Sequence, residues 1–297
     1  MSLPVQNKIP KIIMPICDDT LYTLKMSSFL FDKFWTDDTK IDVIGFKKPD
    51  FEISKKMNFI SIETEQFGGA NSWSRYILKY LMTIDDDLII FTLEDFFPTA
   101  SPNLKVIRSV VSLMEKDKNI GRFDLTFDSF IQGEYKMLNE TSDLSLILKD
   151  KFTQYRISTQ PAIWRRDFLI KILKNTTTPW DFEINGTRLS NSMTEHVLAF
   201  ADPTFTKFPT YWIHKGAVSR HSPGKINVLG LDTGTIREMV SKGYFLEENL
   251  QWGMWNDSSP PTFYELGGYD FDPIKMPLHE ASRTRWQEYG HVYGDKC

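Results

Sequence analysis

An α/β fold, with a mostly parallel central sheet flanked by helices and an irregular C-terminal region, follows from three observations. Short apolar runs recur at 11–17, 41–46 and 88–93, and stretches of helical apolar spacing separate them. The runs are nearly continuous rather than alternating, which is the pattern of strands buried on both faces. The 297 residues are 41% hydrophobic, enough to bury a large core as one big domain or two small ones.

The elements run in order along the chain. Lys11 to Cys17 (KIIMPIC) is predicted as the first strand, and Asp18-Asp19-Thr20 offers caps to a helix over 21–35. Ile41 to Phe46 (IDVIGF) is a second strand and Asn58 to Ile62 (NFISI) a weaker third. Gly68 to Ser72 reads as a loop, with Ser72 placed to cap a helix over 73–84. The acids Asp85-Asp86-Asp87 then lead into Leu88 to Leu93, which ends in Glu94-Asp95. A helix over 103–116 and a strand over 121–127 complete the regular alternation.

Beyond about residue 130 the signals weaken. Residues 144–149 form a short strand candidate, 157–163 reads as extended, and 166–173 as helix. Thr176 to Pro179 is a turn, and Asp181 opens a helix expected to run, with a break at Gly186, into the 191–201 region. Residues 212–219 are a further strand candidate, and the aromatic-rich stretch after about residue 241 reads as a tail wrapped on the core. The expected organisation is one domain over 1–240, with a first half to about 130 and a second half over 131–240, and an extension over 241–297.

A net charge of −4 gives no general attraction to nucleic acid or an anionic membrane. No apolar run approaches the ~20 residues of a bilayer span, and the N-terminus lacks a basic head and apolar core, so a cytoplasmic protein is expected. Cys17 and Cys297, at opposite ends of the chain, argue against a disulfide framework. There is no dinucleotide fingerprint, no phosphate-cradling loop ending in Gly-Lys-Ser/Thr and no Gly-x-Ser-x-Gly elbow, which weakens NAD enzymes, ordinary ATPases and α/β hydrolases.

Two constellations point to chemistry. Open α/β sheets bind ligands beyond the carboxyl ends of their strands, where Glu94 and Asp95 fall. Acids there can hold a hard divalent cation and, through it, a diphosphate. The plain alternative is a solvated turn. The acids at 85–87 lie at the other end of that strand and read as a turn only. In Pro179-Trp180-Asp181-Phe182-Glu183 two acids sit at a helix start beside an aromatic ring, which suits either simple capping or a sugar site with a base. The stretch from Pro203 to Leu231 carries Lys207, His214, Lys215, Arg220, His221 and Lys225 and no acid, a composition able to neutralise a diphosphate.

Four segments together, KIIMPICDD, GGANSWSRYILKYLMTI, LIIFTLEDFFP and QPAIWRRDFLIKIL…PWDFE, resemble nucleotide-sugar-dependent glycosyltransferases of the GT-A fold, bacterial or viral in type. The resemblance covers roughly residues 10–190. It implies Mn²⁺ or Mg²⁺ at Asp95 and Glu94, where Leu-Glu-Asp stands for the usual Asp-x-Asp, with His214 or His221 as a further ligand. It implies donor contacts from Asp18, Asp19, Arg75, Lys215 and Arg220. Asp181 becomes the base by motif position, with Glu183 its rival, and Trp164, Trp180 and Arg165 flank the acceptor, with Trp212 as another candidate wall. The implied partners are a nucleoside-diphosphate sugar, UDP-sugar first, and a glycan, lipid-linked glycan, protein or hydroxylated DNA base as acceptor. A nucleotidyltransferase using a nucleoside triphosphate and a non-catalytic carbohydrate-binding protein are the rival classes.

Overall fold

The computed structural model describes residues 8–63, 68–96, 98, 100–126, 135–141, 144–201, 231 and 233–244. The first strands form where the apolar runs predict. β1 (Ile12–Pro15), β2 (Ile41–Gly45) and β4 (Leu88–Phe91) are buried at every position. β3 (Met57–Ser61) is only partly buried, as befits the sheet edge. Helix α1 (Thr23–Phe34) comes after a short 3-10 turn at Asp18–Thr20. Helix α2 (Trp73–Leu81) comes after a second such turn at Gly69–Ser72. Gly68 and Gly69 enter it at φ of 78° and 53°, left-handed values that glycine adopts without Cβ strain. Ser72 does not cap α2 through its side chain, because its backbone is still part of that turn. Asn103 does cap α3 (Leu104–Lys116), accepting from the Val106 N–H at 3.3 Å.

The second half contains β5 (Ile120–Asp124), β6 (Tyr135–Thr141), β7 (Leu144–Lys149), β8 (Ala162–Arg165), α4 (Arg166–Leu173), α5 (Pro179–Ser190), β9 (His196–Phe200) and α6 (Thr233–Ser241). β6 and α6 are elements that sequence reading misses. The helix expected to continue into 191–201 stops at Ser190, and His-Val-Leu-Ala-Phe forms β9 instead. The expected break at Gly186 is also absent. A Cβ there would meet Ile172 Cγ2 at 2.8 Å and Ile157 Cγ2 at 3.3 Å, so the glycine serves close packing inside a continuous helix. The strand candidate at 212–219 and most of the 241–297 extension lie outside the described residues.

The nine strands make one sheet in the order β3-β2-β1-β4-β8-β5-β9-β7-β6. The α/β class with a central sheet between helices is as the sequence predicts. Its pairing is more mixed than a mostly parallel sheet. β3, β2, β1 and β4 are parallel neighbours, as are β5 and β9, whereas β8 runs antiparallel to both β4 and β5, and β7 antiparallel to β6 and β9. One face buries Met14, Ile41 and Ile90 against Leu24 and Phe31 of α1 and Val110 and Met114 of α3. The other buries Ile13, Ile89 and Trp164 against Ile77 of α2, Leu169 of α4 and Phe182 of α5. Each such side chain contributes about 1.5–3 kcal/mol relative to exposure. α6 packs Ile236 and Met239 on Met26 and Leu30, covering α1 from outside.

Gly186→Ala tests the close packing of α5. Helix propensity alone favours alanine by about 1 kcal/mol, but the contact with Ile172 makes the variant overpacked. A net loss of about 1 kcal/mol is expected in urea denaturation; a more stable variant would contradict the packing.

Candidate functional site

Because β1 and β4 are parallel neighbours, the chain leaves both strands at the same edge of the sheet. The Thr92 N–H donates to the Ile13 carbonyl at 3.1 Å, holding the register past the last residue of β4. The next two loops, Cys17–Thr20 and Leu93–Asp95, therefore emerge side by side. Between them and α2 lies a cavity of about 380 Å³. Cys17 and Asp19 line it from the first loop, Leu93 and Glu94 from the second, Phe46 from the end of β2, Trp73 and Tyr76 from α2, and Pro179 from the start of α5. Trp73 and Tyr76 share the cavity side of α2 because they are three residues apart. Tyr76 meets Phe46 edge-on, with ring centres 4.6 Å apart. Thr20 joins the two loops: its hydroxyl donates to Glu94 Oε1 at 2.8 Å. Sequence reading takes Thr20 only as a helix cap, since its partner is 74 residues away.

The acids here are held uncomfortably. Burial pushes the Glu94 carboxyl up, against the opposing effect of the Thr20 hydroxyl. Burial likewise pushes Asp95 up to about 8, helped by the charges of Glu94 and Glu183. Asp95 Oδ1 is buried with no hydrogen-bond partner among the described residues. Burial, and secondarily the charge of Glu94, also raise Cys17 and Tyr22, and the Tyr22 hydroxyl is buried and unpartnered there too. Glu183 is anchored from across α5, its Oε1 accepting from both the N–H and the hydroxyl of Thr159 at 2.8 Å each. Crowded carboxylates with an unpartnered buried oxygen suit a hard divalent cation. Among the described residues, however, no three His, Cys, Asp or Glu side chains already converge as a ligand set.

The structure sorts the other candidates. Asp19 lines the cavity, while Asp18 sits beside it with Oδ1 accepting from the Lys47 N–H at 3.0 Å. Arg75 is exposed at the start of α2 and pairs with Glu63 at 3.2 Å. Asp181 is occupied at the start of α5: its N–H donates to the Thr178 hydroxyl at 2.9 Å and its Oδ2 accepts from the Thr177 N–H at 2.7 Å, a reciprocal capping arrangement. Trp180 is 66% exposed on the same first turn. Trp164 is no acceptor wall: it is fully buried, stacked on Phe168 with ring centres 5.8 Å apart and lying 4.8 Å under the Arg122 guanidinium. Arg165 is no acceptor contact either. It is paired with Leu88, and its guanidinium binds Asp87 at 2.9 Å and the Met114 carbonyl at 2.6 Å, at the end of β4 remote from Glu94. The turn acids Asp86 and Asp87 lie at that remote end as predicted, paired with Lys11 and Lys118. His214, Lys215, Arg220, His221 and Trp212 lie outside the described residues. Among the described residues no helix is long and apolar enough to cross a membrane.

No family model matches the chain, and no curated protein does. Solved structures that align with the chain include a CMP:2-keto-3-deoxy-manno-octonic acid synthetase complexed with CTP, at 10% identity and a TM-score of 0.38, over 65% of this chain and 89% of that one. A UDP-glucose pyrophosphorylase complexed with UDP-glucose aligns at 11% identity and a TM-score of 0.40, over 65% and 90%. Residues 1–349 of S. aureus TarS align at 9% identity and a TM-score of 0.40, over 66% of this chain and 58% of that one. These likenesses carry no argument about activity, and the fold class rests on the strand order itself.

Asp95 gives a pH test. Its carboxyl titrates near 4 in an unfolded chain but at about 8 in the fold. The folded state then binds more protons between those values, so its stability falls as pH rises through that window. Asp95→Asn removes this loss. Its denaturation midpoint is expected above that of the wild type at pH 8, with the difference shrinking toward pH 5. A difference that does not change with pH would contradict the raised carboxyl.

Proposed function

We propose that the protein is a glycosyltransferase that moves a sugar from a nucleoside-diphosphate donor to an acceptor hydroxyl, with inversion at the anomeric carbon. The observation that carries this reading is the meeting of Glu94 and Asp95, at the end of β4, with Glu183 of α5, near enough for its charge to raise Asp95. The residues that fit a Mn²⁺ or Mg²⁺ ion are Asp95 and Glu94, and such an ion would supply charge neutralisation to the leaving diphosphate. The cavity beside them has aromatic walls for a nucleoside in Phe46, Trp73 and Tyr76, with Asp19 at its edge for ribose hydroxyls.

The chain's own part is general-base catalysis. Glu183 Oε1 is engaged by Thr159, which leaves Oε2 to accept the acceptor's hydroxyl proton. The acceptor oxygen then forms its bond to the anomeric carbon as the bond from that carbon to the diphosphate oxygen breaks, and the electron pair leaves with the nucleoside diphosphate. Thr159 fixes the Glu183 side chain against rotation, so its orientation does not depend on substrate. Glu183 is preferred to Asp181 because both Asp181 oxygens are engaged within the first turns of α5: Oδ2 with Thr177 and Oδ1 with the Asn185 amide. Trp180, exposed on that turn, supplies a ring face on which an acceptor sugar can stack. Lys215 and Arg220 as diphosphate contacts, His214 or His221 as a further metal ligand, and a glycan, lipid-linked glycan, protein or modified DNA acceptor belong to the same proposal.

Thermal-shift measurements with UDP-, GDP- and CDP-sugars, with and without Mn²⁺, test it. Stabilisation that requires both the cation and a nucleoside-diphosphate sugar is expected, and Asp95→Asn is expected to lose it. Glu183→Gln is expected to keep that stabilisation but lower turnover by about 10²–10⁴-fold, with Asp181→Asn far milder. Stabilisation by a nucleoside triphosphate alone would replace this reading with nucleotidyl transfer. Full turnover in Glu183→Gln would remove it as the base.

A further inference from the structure

We propose, resting on the transferase reading above, that Tyr22 is a nucleotide contact whose hydroxyl donates a hydrogen bond to an oxygen of the diphosphate. Tyr22 stands at the N-terminal end of α1, two residues after Thr20. Its backbone is committed to the helix, the carbonyl accepting the Lys25 N–H at 3.2 Å. Its ring is partly buried against the cluster that holds Met26 and Leu30 of α1. Only the hydroxyl is left over. It is buried and has no hydrogen-bond partner among the described residues.

The hydroxyl belongs to the Glu94 site. Glu94 and Cys17 both act on it electrostatically, and burial acts more strongly still, so the phenol is held well above its ordinary value and keeps its proton. Neither neighbour serves it as an acceptor. Thr20 already engages both, the Cys17 thiol at 3.2 Å and Glu94 Oε1 at 2.8 Å. Tyr22 is thus a protonated donor with nothing to donate to.

Asp95 Oδ1 is the complementary case, a carboxyl oxygen buried and unpartnered among the described residues. The two atoms do not bond to each other, although Asp95 is next to Glu94 in the chain and Tyr22 feels the Glu94 charge. A buried polar group without a partner costs the fold its lost hydration. A spare donor and a spare carboxyl oxygen around one carboxylate suit a ligand that brings both an acceptor oxygen and a cation. A diphosphate with its divalent cation brings both. An ionised phosphate oxygen only accepts, and its charge strengthens the bond. A sugar hydroxyl would bring a further proton that needs its own buried partner.

Tyr22→Phe removes the hydroxyl and keeps the ring, and two measurements on the full chain decide its role. Urea denaturation without ligand is expected to give a midpoint equal to or above that of the wild type, because the lost group had no partner. Calorimetric titration in the presence of Mn²⁺ uses whichever of UDP, GDP and CDP binds the wild type most tightly. Its affinity is expected to fall about tenfold in the variant. The matching nucleoside, titrated in competition, is expected to bind both forms alike. Unchanged diphosphate affinity overturns the proposal. Equal weakening of nucleotide and nucleoside overturns it too, since the contact would then lie on the nucleoside. A lower midpoint without ligand also overturns it, since the hydroxyl would then serve the fold. In each of these three outcomes the wild type still binds the nucleotide and the transferase reading stands. A wild type that binds none of the three nucleotides removes that reading, and the Tyr22 contact with it.

Discussion

The structure turns on the position of β4 between a parallel and an antiparallel neighbour. On one side the Ile90 N–H donates to the Lys11 carbonyl at 2.9 Å and the Thr92 N–H to Ile13 at 3.1 Å. On the other, Leu88 to Phe91 pair antiparallel with Arg165 to Ala162. A four-residue strand bonded at both edges and buried on both faces has no freedom of register, since a one-residue slip would turn Ile89 and Ile90 to the wrong cores. The residues just past the strand are therefore delivered to one place. Glu94 and Asp95 are those residues, set beside the end of β1 and under the first turns of α5.

The reversal at β8 is equally consequential. It feeds α4 and α5 back over the face that carries Ile89 and Trp164, and so brings Glu183 within electrostatic reach of Asp95. The end of β4 and the start of α5 thus meet at one end of the sheet. Trp73 helps close this junction by packing edge-on against both Phe91 and Phe182, at 6.2 and 5.4 Å between ring centres. Its position ties α2 to α5.

The first half is legible in the sequence because each strand is an apolar run closed by turn residues, and each helix has its own period. Glu94-Asp95 can be read for the same reason: a carboxylate pair after a buried run has only one end of the sheet to occupy. β6 escapes notice because Tyr-Lys-Met-Leu-Asn-Glu-Thr is a polar edge strand without alternation. β9 is misread because a five-residue apolar run fits a helix turn as well as a strand. Trp164 and Arg165 show a different failure. Neighbours in one strand point to opposite faces, and nothing in Pro-Ala-Ile-Trp-Arg-Arg tells which end of the strand faces the ligand. Thr20 and Thr159, which hold Glu94 and Glu183, depend on long-range contacts that spacing cannot show. Arg122 and Asp124 do leave a signal: opposite charges two residues apart inside an apolar strand mark a buried pair on one face.

The central claim of the proposed reading is that Glu94 and Asp95 form a cation site at which the Asp95 carboxyl stays protonated until the cation arrives. Calorimetric titration with Mn²⁺ at pH 7, repeated in buffers of different ionisation enthalpy, counts the protons released on binding. With Asp95 at about 8 in the free protein, cation binding must displace its proton. The prediction is release of about one proton per Mn²⁺ bound, abolished in Asp95→Asn. Binding without proton release, or no binding that depends on Asp95, would contradict the account.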